Sequence, residues 1–338
     1  MEDTQEPQEP RTQWSHQFDT ITLEAGKEHN GWCQSWILNN EEELWVNAVE
    51  LVTGGGYHHS NWFFVPEGEL DYPPGLWKNC YNKGFHEIDA AVAGGVLFAQ
   101  STQVDTERQE FPAGVAVRIP PYSRIIGATH LLNVMPEPLE TELHMHLWTI
   151  EADAVSVPLT PFRLSYLDLD IPAQSKADFT GECEIRTSYE AIAGEPYDME
   201  LYWVLPHYHS RGDGFELTHL GGDKDGESIF EVGEFSTEPF GVVFDPPISL
   251  SGSDGLRFTC RYDNELEKPI HWGIGIHEMC VMLGFARSKL AFDISVLETD
   301  VSEAPAQPTE AIQNSGPCVV FGFPFDQEKA GGQPTESE

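Results

Sequence analysis

From Phe18 onward, the sequence of this chain is interrupted at nearly regular intervals. Short stretches rich in Val, Ile, Thr, Phe, Tyr and Trp are broken about every ten residues by clusters of Gly, Pro, Asn or Asp. Helical periodicity is scarce, and residues 187–192 are the segment that we expect to form a helical turn. β-branched and aromatic residues favour strands, and closely spaced breaks favour tight connections. The pattern therefore predicts an all-β protein made of antiparallel β-sandwiches.

The predicted strands form two groups of similar size, separated by a proline-containing segment at residues 155–177. A chain of 338 residues with 40% hydrophobic content is long enough for two cores. We predict an N-terminal sandwich over residues 15–160 and a C-terminal sandwich over residues 161–325, with polar, disordered tails at 1–14 and 326–338. The predicted strands cover residues 31–38, 44–53, 96–101, 114–119, 124–134 and 142–151, then 197–210, 215–219, 229–232, 256–262, 270–283 and 291–297.

The charge of the chain argues against two classes of partner. It has 18 basic and 56 acidic residues, a formal net charge of -38. Such a charge repels nucleic acid and anionic membranes and favours solubility. No apolar run approaches the ~20 residues that a membrane span requires. We therefore expect no nucleic-acid partner and no membrane span, and the sequence leaves the oligomeric state open.

Six cysteines bear on the cellular compartment. They include no Cys-x-x-Cys pair, which argues against a thiolate zinc site and favours three disulfides. Disulfides form in oxidising compartments. The N-terminus lacks the basic and apolar profile of a signal peptide, so we expect an exported protein whose signal segment is absent from this sequence. Free, buried cysteines in a cytosolic protein are the alternative.

A pair of histidines near residue 208 is a candidate metal chelate. In an extended strand His207 and His209 point to the same face, while Tyr208 points away. Pro206 indicates a strand end, edge or bulge, where side chains can be directed into a cleft. A thioether from Met279 as third ligand would favour reduced copper over harder cations. An ordinary polar strand face is the alternative reading of the pair.

A second histidine cluster follows three glycines in the first half of the chain. Adjacent residues of a regular strand face opposite ways, so His58 and His59 can reach one ion only if the backbone is irregular there. The preceding glycines permit such a backbone. A third ligand must come from elsewhere, and the candidates are His86, His130, and the pair His144 and His146, whose neighbours Leu143, Met145 and Leu147 would face the core.

Taken in order, these residues resemble the copper type II, ascorbate-dependent monooxygenases, the family of the peptidylglycine alpha-hydroxylating and dopamine beta-type enzymes. The likeness includes the histidine pair at residues 58–59, the lone His130, the His-x-His at residues 207–209 and the Glu-Met-Cys at residues 278–280. The stretches at residues 260–264 and 273–280 look like the C-terminal signature of that family, and residues 171–173 look like its inter-domain passage. The resemblance covers about residues 15 to 300.

The resemblance implies two jelly-roll-like sandwiches that face each other across a solvent cleft and bind two coppers per chain. Copper H, which stores an electron, would be held by His58, His59 and His130. Copper M, which binds dioxygen, would be held by the catalytic residues His207, His209 and Met279. Dioxygen and ascorbate would then hydroxylate a C–H bond of a small-molecule substrate. The implied disulfides join Cys33 to Cys80 and Cys260 to Cys280, which leaves Cys183 with Cys318, where the likeness is weakest.

The sequence departs from the family where peptidylglycine enzymes bind the peptide carboxylate. Leu205, Val281 and Leu283 stand at those positions, so we expect a neutral or cationic substrate with an apolar group, unless Arg211 or Arg124 supplies the charge. Ala128 replaces a typical Gln, and His277 is an additional histidine that would share a face with Met279 on a regular strand. The alternatives are a copper- or ligand-binding protein without hydroxylase activity and a structural zinc protein.

Overall fold

A computed structural model describes residues 10–70, 72–100, 104–233, 241–273, 276–305 and 310–324. Most of both predicted tails, residues 1–9 and 326–338, lies outside the described residues. The chain forms two compact units, of which the first ends at Leu159 and the second begins at Thr160. Both units consist almost entirely of β-strands, so the predicted all-β class is confirmed.

The first unit contains two larger sheets and one small one. Its strands are β1 (Thr12–Gln17), β2 (Ile21–Leu23), β3 (Glu28–Ile37), β4 (Leu44–Thr53), β5 (Tyr57–Pro66), β6 (Gly75–Lys78), β7 (Gly95–Gln100), β8 (Thr106–Glu110), β9 (Val115–Ile119), β10 (Ser123–Leu132), β11 (Leu139–Thr141), β12 (Leu143–Ile150) and β13 (Val157–Pro158). One sheet has the order β1-β12-β4-β9-β13, with β8 also paired to β4, and the other has the order β6-β3-β10-β5-β7. A short helix, α1 (Glu87–Ala93), precedes β7, and β2 pairs with β11.

The second unit is also a sandwich. Its strands are β14 (Thr160–Tyr166), β15 (Asp170–Ile171), β16 (Ser175–Glu184), β17 (Glu200–His207), β18 (Gly212–Leu220), β19 (Ser228–Val232), β20 (Val242–Ser249), β21 (Gly255–Asn264), β22 (Ile270–His271), β23 (Val281–Arg287), β24 (Leu290–Val296), β25 (Val301–Glu303), β26 (Ile312–Pro317) and β27 (Val319–Pro324). The sheets have the orders β20-β17-β23-β14-β24-β27 and β19-β18-β21-β16-β26-β25, and β15 pairs with β22. The helix α2 (Arg186–Ala193) covers the predicted helical turn at residues 187–192.

The two units share one strand topology. The pairing β3-β10-β5-β7 corresponds to β16-β21-β18-β19, and the pairing β1-β12-β4-β9 corresponds to β14-β23-β17-β20. A buried asparagine stands at the end of each long central strand, Asn133 directly after β10 and Asn264 as the last residue of β21, and its amide donates to three backbone carbonyls. Its Oδ1 accepts the N–H of the residue two positions on, Met135 or Leu266. The same turn therefore closes the same strand in both sandwiches.

The structure differs from the sequence prediction in several segments, and β5, β16 and β20 are among the strands that were not predicted. Residues 12–14, which were predicted to be disordered, begin β1, because an edge strand needs only backbone pairing, here with β12. The segment predicted as a crossing contains β14, in which Pro161 is tolerated because pairing with β24 begins one residue later. The predicted strand at residues 270–283 is wrong, since β22 and β23 are separated by an irregular loop.

All six cysteines form disulfides, as predicted. The pairs are Cys33–Cys80, Cys183–Cys318 and Cys260–Cys280, each within one unit. Cys33 and Cys80 belong to a buried cluster that includes Phe63, Phe85 and Trp77. Within the part of the chain that the structure describes, no helix is long and apolar enough to cross a membrane.

Candidate metal centres in the two sandwiches

A β-bulge brings His58 and His59 to the same region. In the pairing of β5 with β10, Tyr57 lies opposite Leu131 and His59 lies opposite His130, so His58 is the extra residue. The glycines before it make the turn into β5, since Gly55 and Gly56 have φ angles of 90° and 80°. The irregular backbone that two adjacent histidines require is therefore present.

The structure groups both histidines with His130. The ring centroids of His58 and His59 lie 5.5 Å apart. The ring centroid of His130 lies 5.2 Å from that of His58 and 4.5 Å from that of His59. His130 Nδ1 and His59 Nε2 are only 2.7 Å apart. Two such nitrogens must share a hydrogen, or direct both lone pairs at one cation. We call His58, His59 and His130 the first donor group.

Glu28 completes this group from β3. Its Oε1 lies 2.7 Å from His130 Nε2, and the carboxylate can only accept, so Nε2 carries the hydrogen. His130 is 2% exposed. Burial lowers the pKa of its ring, and the neighbouring carboxylate opposes that change. A neutral imidazole hydrogen-bonded to a carboxylate is the usual arrangement of a metal-binding histidine.

In the second unit, His207 is the last residue of β17 and His209 follows two positions later. Their ring centroids lie 5.2 Å apart and the ring planes are nearly perpendicular. His209 Nδ1 donates to the carbonyl oxygen of His277 at 2.8 Å, so Nε2 carries the lone pair of that ring. We call these two histidines, together with Met279 as the third ligand expected from the sequence, the second donor group.

A buried carboxylate brings the segment of Met279 to this strand end. Glu278 is 1% exposed, and it accepts the backbone N–H of His209 at 2.7 Å and of Arg211 at 2.8 Å. Burial raises the pKa of Glu278 to about 7, while these N–H groups and that of Met279 oppose the rise. The Met279 carbonyl in turn accepts the Tyr262 hydroxyl at 2.6 Å. The backbone on both sides of the second donor group is thus fixed by Glu278.

The remaining candidate histidines make other contacts. His277 Nδ1 accepts the His271 N–H at 3.2 Å, and the loop there is not a regular strand, so His277 and Met279 do not share a strand face. His146 Nδ1 lies 2.8 Å from Ser15 Oγ, and His144 Nε2 lies 3.4 Å from the Glu142 carboxylate. His86 is the exposed residue before α1. Leu143, Met145 and Leu147 are buried, as the alternation in β12 predicted.

The residues that stand where the resembling enzymes bind a peptide carboxylate are apolar neighbours of His207. Leu283 lies opposite Leu205, and Val281 lies opposite His207, so all four side chains share one face of the sheet. The next strand contributes Arg163, opposite Leu283. Two nitrogens of that guanidinium donate to the Asp293 carboxylate, both at 2.9 Å.

Of the two arginines that the sequence offered as an alternative source of charge, Arg124 donates from its guanidinium to the Tyr72 carbonyl in the first unit. Arg211 donates its backbone N–H to Glu278, and its positive charge opposes the burial that raises the pKa of that carboxyl group. Sequence reasoning missed the roles of Glu28 and Glu278. For Glu278 a signal exists, because an acidic residue within an apolar stretch of sequence indicates a buried carboxylate with a specific role. No local signal marks Glu28, since 102 positions separate it from His130.

Comparisons with known proteins give no family. No family model matches the chain, and no curated protein matches it. Among solved structures, the major capsid protein P2 of bacteriophage PM2 aligns with 82% of this chain and 98% of its own at 8% identity and a TM-score of 0.32. PBCV-1 VP54, fitted into a reconstruction of the virophage Sputnik, aligns with 82% of this chain and 94% of its own at 7% identity and a TM-score of 0.29. Likenesses this weak carry no argument about function.

Proposed function

We propose that the protein is a copper-dependent monooxygenase that hydroxylates a C–H bond of a small molecule with dioxygen and an ascorbate-type reductant. The first donor group would hold one copper and the second donor group the other. The observation that carries the proposal is the convergence of His58, His59 and His130, with two ring nitrogens 2.7 Å apart. Bound copper would supply the one-electron steps that dioxygen chemistry requires.

The donor types support copper over other cations. Imidazole suits several transition metals, whereas a thioether favours reduced copper and disfavours magnesium or calcium. His209 has the hydrogen-bonded tautomer expected of a ligand, because its Nδ1–H is donated to a backbone carbonyl. Glu278 accepts the N–H groups of His209 and Arg211 and directly precedes Met279, so it ties the chain that carries the proposed thioether ligand to the chain that carries the histidine pair.

The substrate would present an apolar, uncharged group to the second donor group. Leu205 and Leu283 offer no partner to a carboxylate, and an unpaired buried carboxylate costs several kcal/mol. The nearest guanidinium in the same row, that of Arg163, already binds Asp293 with two hydrogen bonds. A peptide with a free C-terminal glycine is therefore a poor substrate under this proposal.

The net charge affects how a reductant would reach the protein, and the disulfides bear on the compartment. With a net charge of -38, the protein would be reduced by anionic ascorbate faster at higher ionic strength, and by a cationic donor such as hexaammineruthenium(II) more slowly. Three disulfides support export to an oxidising compartment.

The test is ascorbate-dependent oxygen consumption by the copper-loaded protein with neutral, cationic and carboxylate-bearing substrates. We expect hydroxylated product in proportion to the oxygen consumed for an uncharged substrate, and none with His207→Ala. An amidated or esterified peptide should react faster than its glycine-extended acid, and the opposite order would refute the proposed substrate class.

A second candidate is a copper-binding protein without hydroxylase activity. The observation that favours it is the absence, at Leu205, Val281 and Leu283, of the polar groups that fix a substrate in the resembling enzymes. Binding of two coppers with only idle oxygen consumption across the substrate panel would support this candidate over the monooxygenase.

A further inference from the structure

We propose that Glu28 is a positioning residue that selects which nitrogen of His130 faces the metal. The inference rests on the proposed function only for the identity of the metal. The carboxylate would fix the tautomer of a buried ring and place a negative charge beside the first donor group.

The hydrogen-bond geometry determines the tautomer. Glu28 Oε1 accepts from His130 Nε2 at 2.7 Å, and a neutral imidazole has one N–H. The lone pair of His130 is therefore on Nδ1, the atom that lies 2.7 Å from His59 Nε2. Without the carboxylate, the hydrogen could move to Nδ1, and His130 would then direct a hydrogen instead of a lone pair at the centre of the group.

Glu28 stands at a position where the second sandwich has the opposite charge. It is the first residue of β3, lies opposite Leu132, and its side chain is 38% exposed. The equivalent residue of the second sandwich is Lys176, which lies opposite Asp263. Its Nζ contacts the carboxylates of Asp263 and Asp213 at 3.1 and 3.4 Å. The same topology thus forms with the opposite charge at this position, which makes a role at the histidines the better explanation for Glu28.

Two substitutions separate hydrogen bonding from charge. Glu28→Gln keeps an oxygen that can accept from Nε2 but removes the negative charge, whereas Glu28→Ala removes both. The control is Glu24→Ala, which removes a nearby exposed carboxylate. The first readout is the histidine ring ¹⁵N spectrum of metal-free protein at pH 8, in which His130 is assigned by comparison with His130→Ala.

We expect wild type, Glu28→Gln and Glu24→Ala to show His130 with hydrogen on Nε2, and Glu28→Ala to lose that state. The second readout is Cu⁺ affinity in competition with bicinchoninate. Glu28→Ala should weaken binding at the first donor group about 10- to 100-fold and Glu28→Gln much less, which is the usual effect of losing such a partner. Both should raise the reduction potential of the first copper relative to wild type.

The inference is overturned if Glu28→Ala keeps both the Nε2–H tautomer and wild-type Cu⁺ affinity. If wild type binds no Cu⁺ at the first donor group, the proposed function fails, but the metal-free spectrum and a parallel Zn²⁺ titration still decide the role of Glu28.

Discussion

The equivalent connections β4–β5 and β17–β18 lead into the same bulge in the two sandwiches, but the candidate histidine pairs stand at different points along them. In the first unit the pair follows the connection, since His58 and His59 lie at the start of β5. In the second unit the pair comes earlier, since His207 ends β17 and His209 lies within the connection. The equivalent bulge in β18 holds Asp213 and Gly214, opposite Arg261 in place of His130. Arg261 binds Glu216 and Glu231 there.

The second difference is an insertion. Four positions separate Leu139 from Leu143 in the first unit, whereas ten separate the equivalent Ile270 and Cys280 in the second. The longer loop carries Glu278 and Met279. One sandwich thus supplies a third donor from the facing strand, and the other from added chain. The bulge of the first unit therefore gives a compact donor group made only of imidazoles. The added loop of the second unit offers a thioether instead.

The strongest test of this comparison is the separation of the two metals. His130→Ala and His207→Ala should each lower bound copper from two per chain to one, and the double substitution should remove both. Each should leave the other copper unchanged, because the donors belong to different units. Metal analysis after exhaustive dialysis measures this, with His144→Ala as the control that retains two. Loss of one copper in His144→Ala, with both kept in His130→Ala, would contradict the assignment of the first donor group.

Met279→His tests whether the donor type distinguishes the two groups, because it makes the second group all-imidazole like the first. We expect copper to remain bound while most hydroxylation activity is lost, since a harder ligand changes the balance between the two oxidation states. X-ray absorption of the reduced protein should lose its sulfur scattering in this variant. Sulfur scattering that persists unchanged would exclude Met279 as a ligand.

Thr141 and Glu278 occupy equivalent positions in the two sandwiches. Both hold the strand connection in place, Thr141 as a hydrogen-bond donor and Glu278 as an acceptor. Thr141 Oγ1 donates to the Gly55 carbonyl in the first unit, whereas the Glu278 carboxylate accepts from His209 and Arg211 in the second. Glu278→Ala should cost about 3 kcal/mol of unfolding free energy, because it leaves buried N–H groups without an acceptor. Thr141→Ala removes one neutral hydrogen bond and should cost about 1 kcal/mol.

Chemical denaturation of both variants with the metal-free protein measures this difference. Equal losses for Glu278→Ala and Thr141→Ala would mean that the carboxylate does not hold the strand end. In that case, the free energy gained by no longer burying a charge would offset the free energy lost with the hydrogen bonds.

The sequence predicted the all-β class and about half of the observed strands, because alternation and turn residues are local signals, but it left out long strands such as β5 and β16. It also indicated the irregular backbone at His58, since two adjacent histidines can reach one ion only if the strand is irregular, and the three preceding glycines permit that. The loop between β22 and β23 was missed because its residues have strand-forming side chains, and its irregularity depends on hydrogen bonds that Glu278 accepts from the segment after β17, about 70 positions away. Glu28 was missed for the same reason, because its partner lies in another strand.

The smallest effect that we predict is a pH dependence of stability caused by His219, which only the second sandwich should have. His219 in β18 is 4% exposed, and its equivalent in the first unit is the buried Phe64. Burial and Lys224 lower the pKa of His219, and Glu227 opposes them. The unfolded chain therefore takes up the proton first as the pH falls, so this contribution to stability is fully present above the ordinary value of 6.5 and is lost as the pH falls through the lowered pKa.

Each pKa unit of lowering corresponds to about 1.4 kcal/mol. His219→Gln keeps a polar group near Ser253 but cannot titrate, so its unfolding free energy should depend less on pH between 8 and 5 than that of wild type. The variant should be less stable than wild type at pH 8, and the gap should narrow as the pH falls. Parallel denaturation curves with a gap that does not change with pH would show that His219 is not the titrating group.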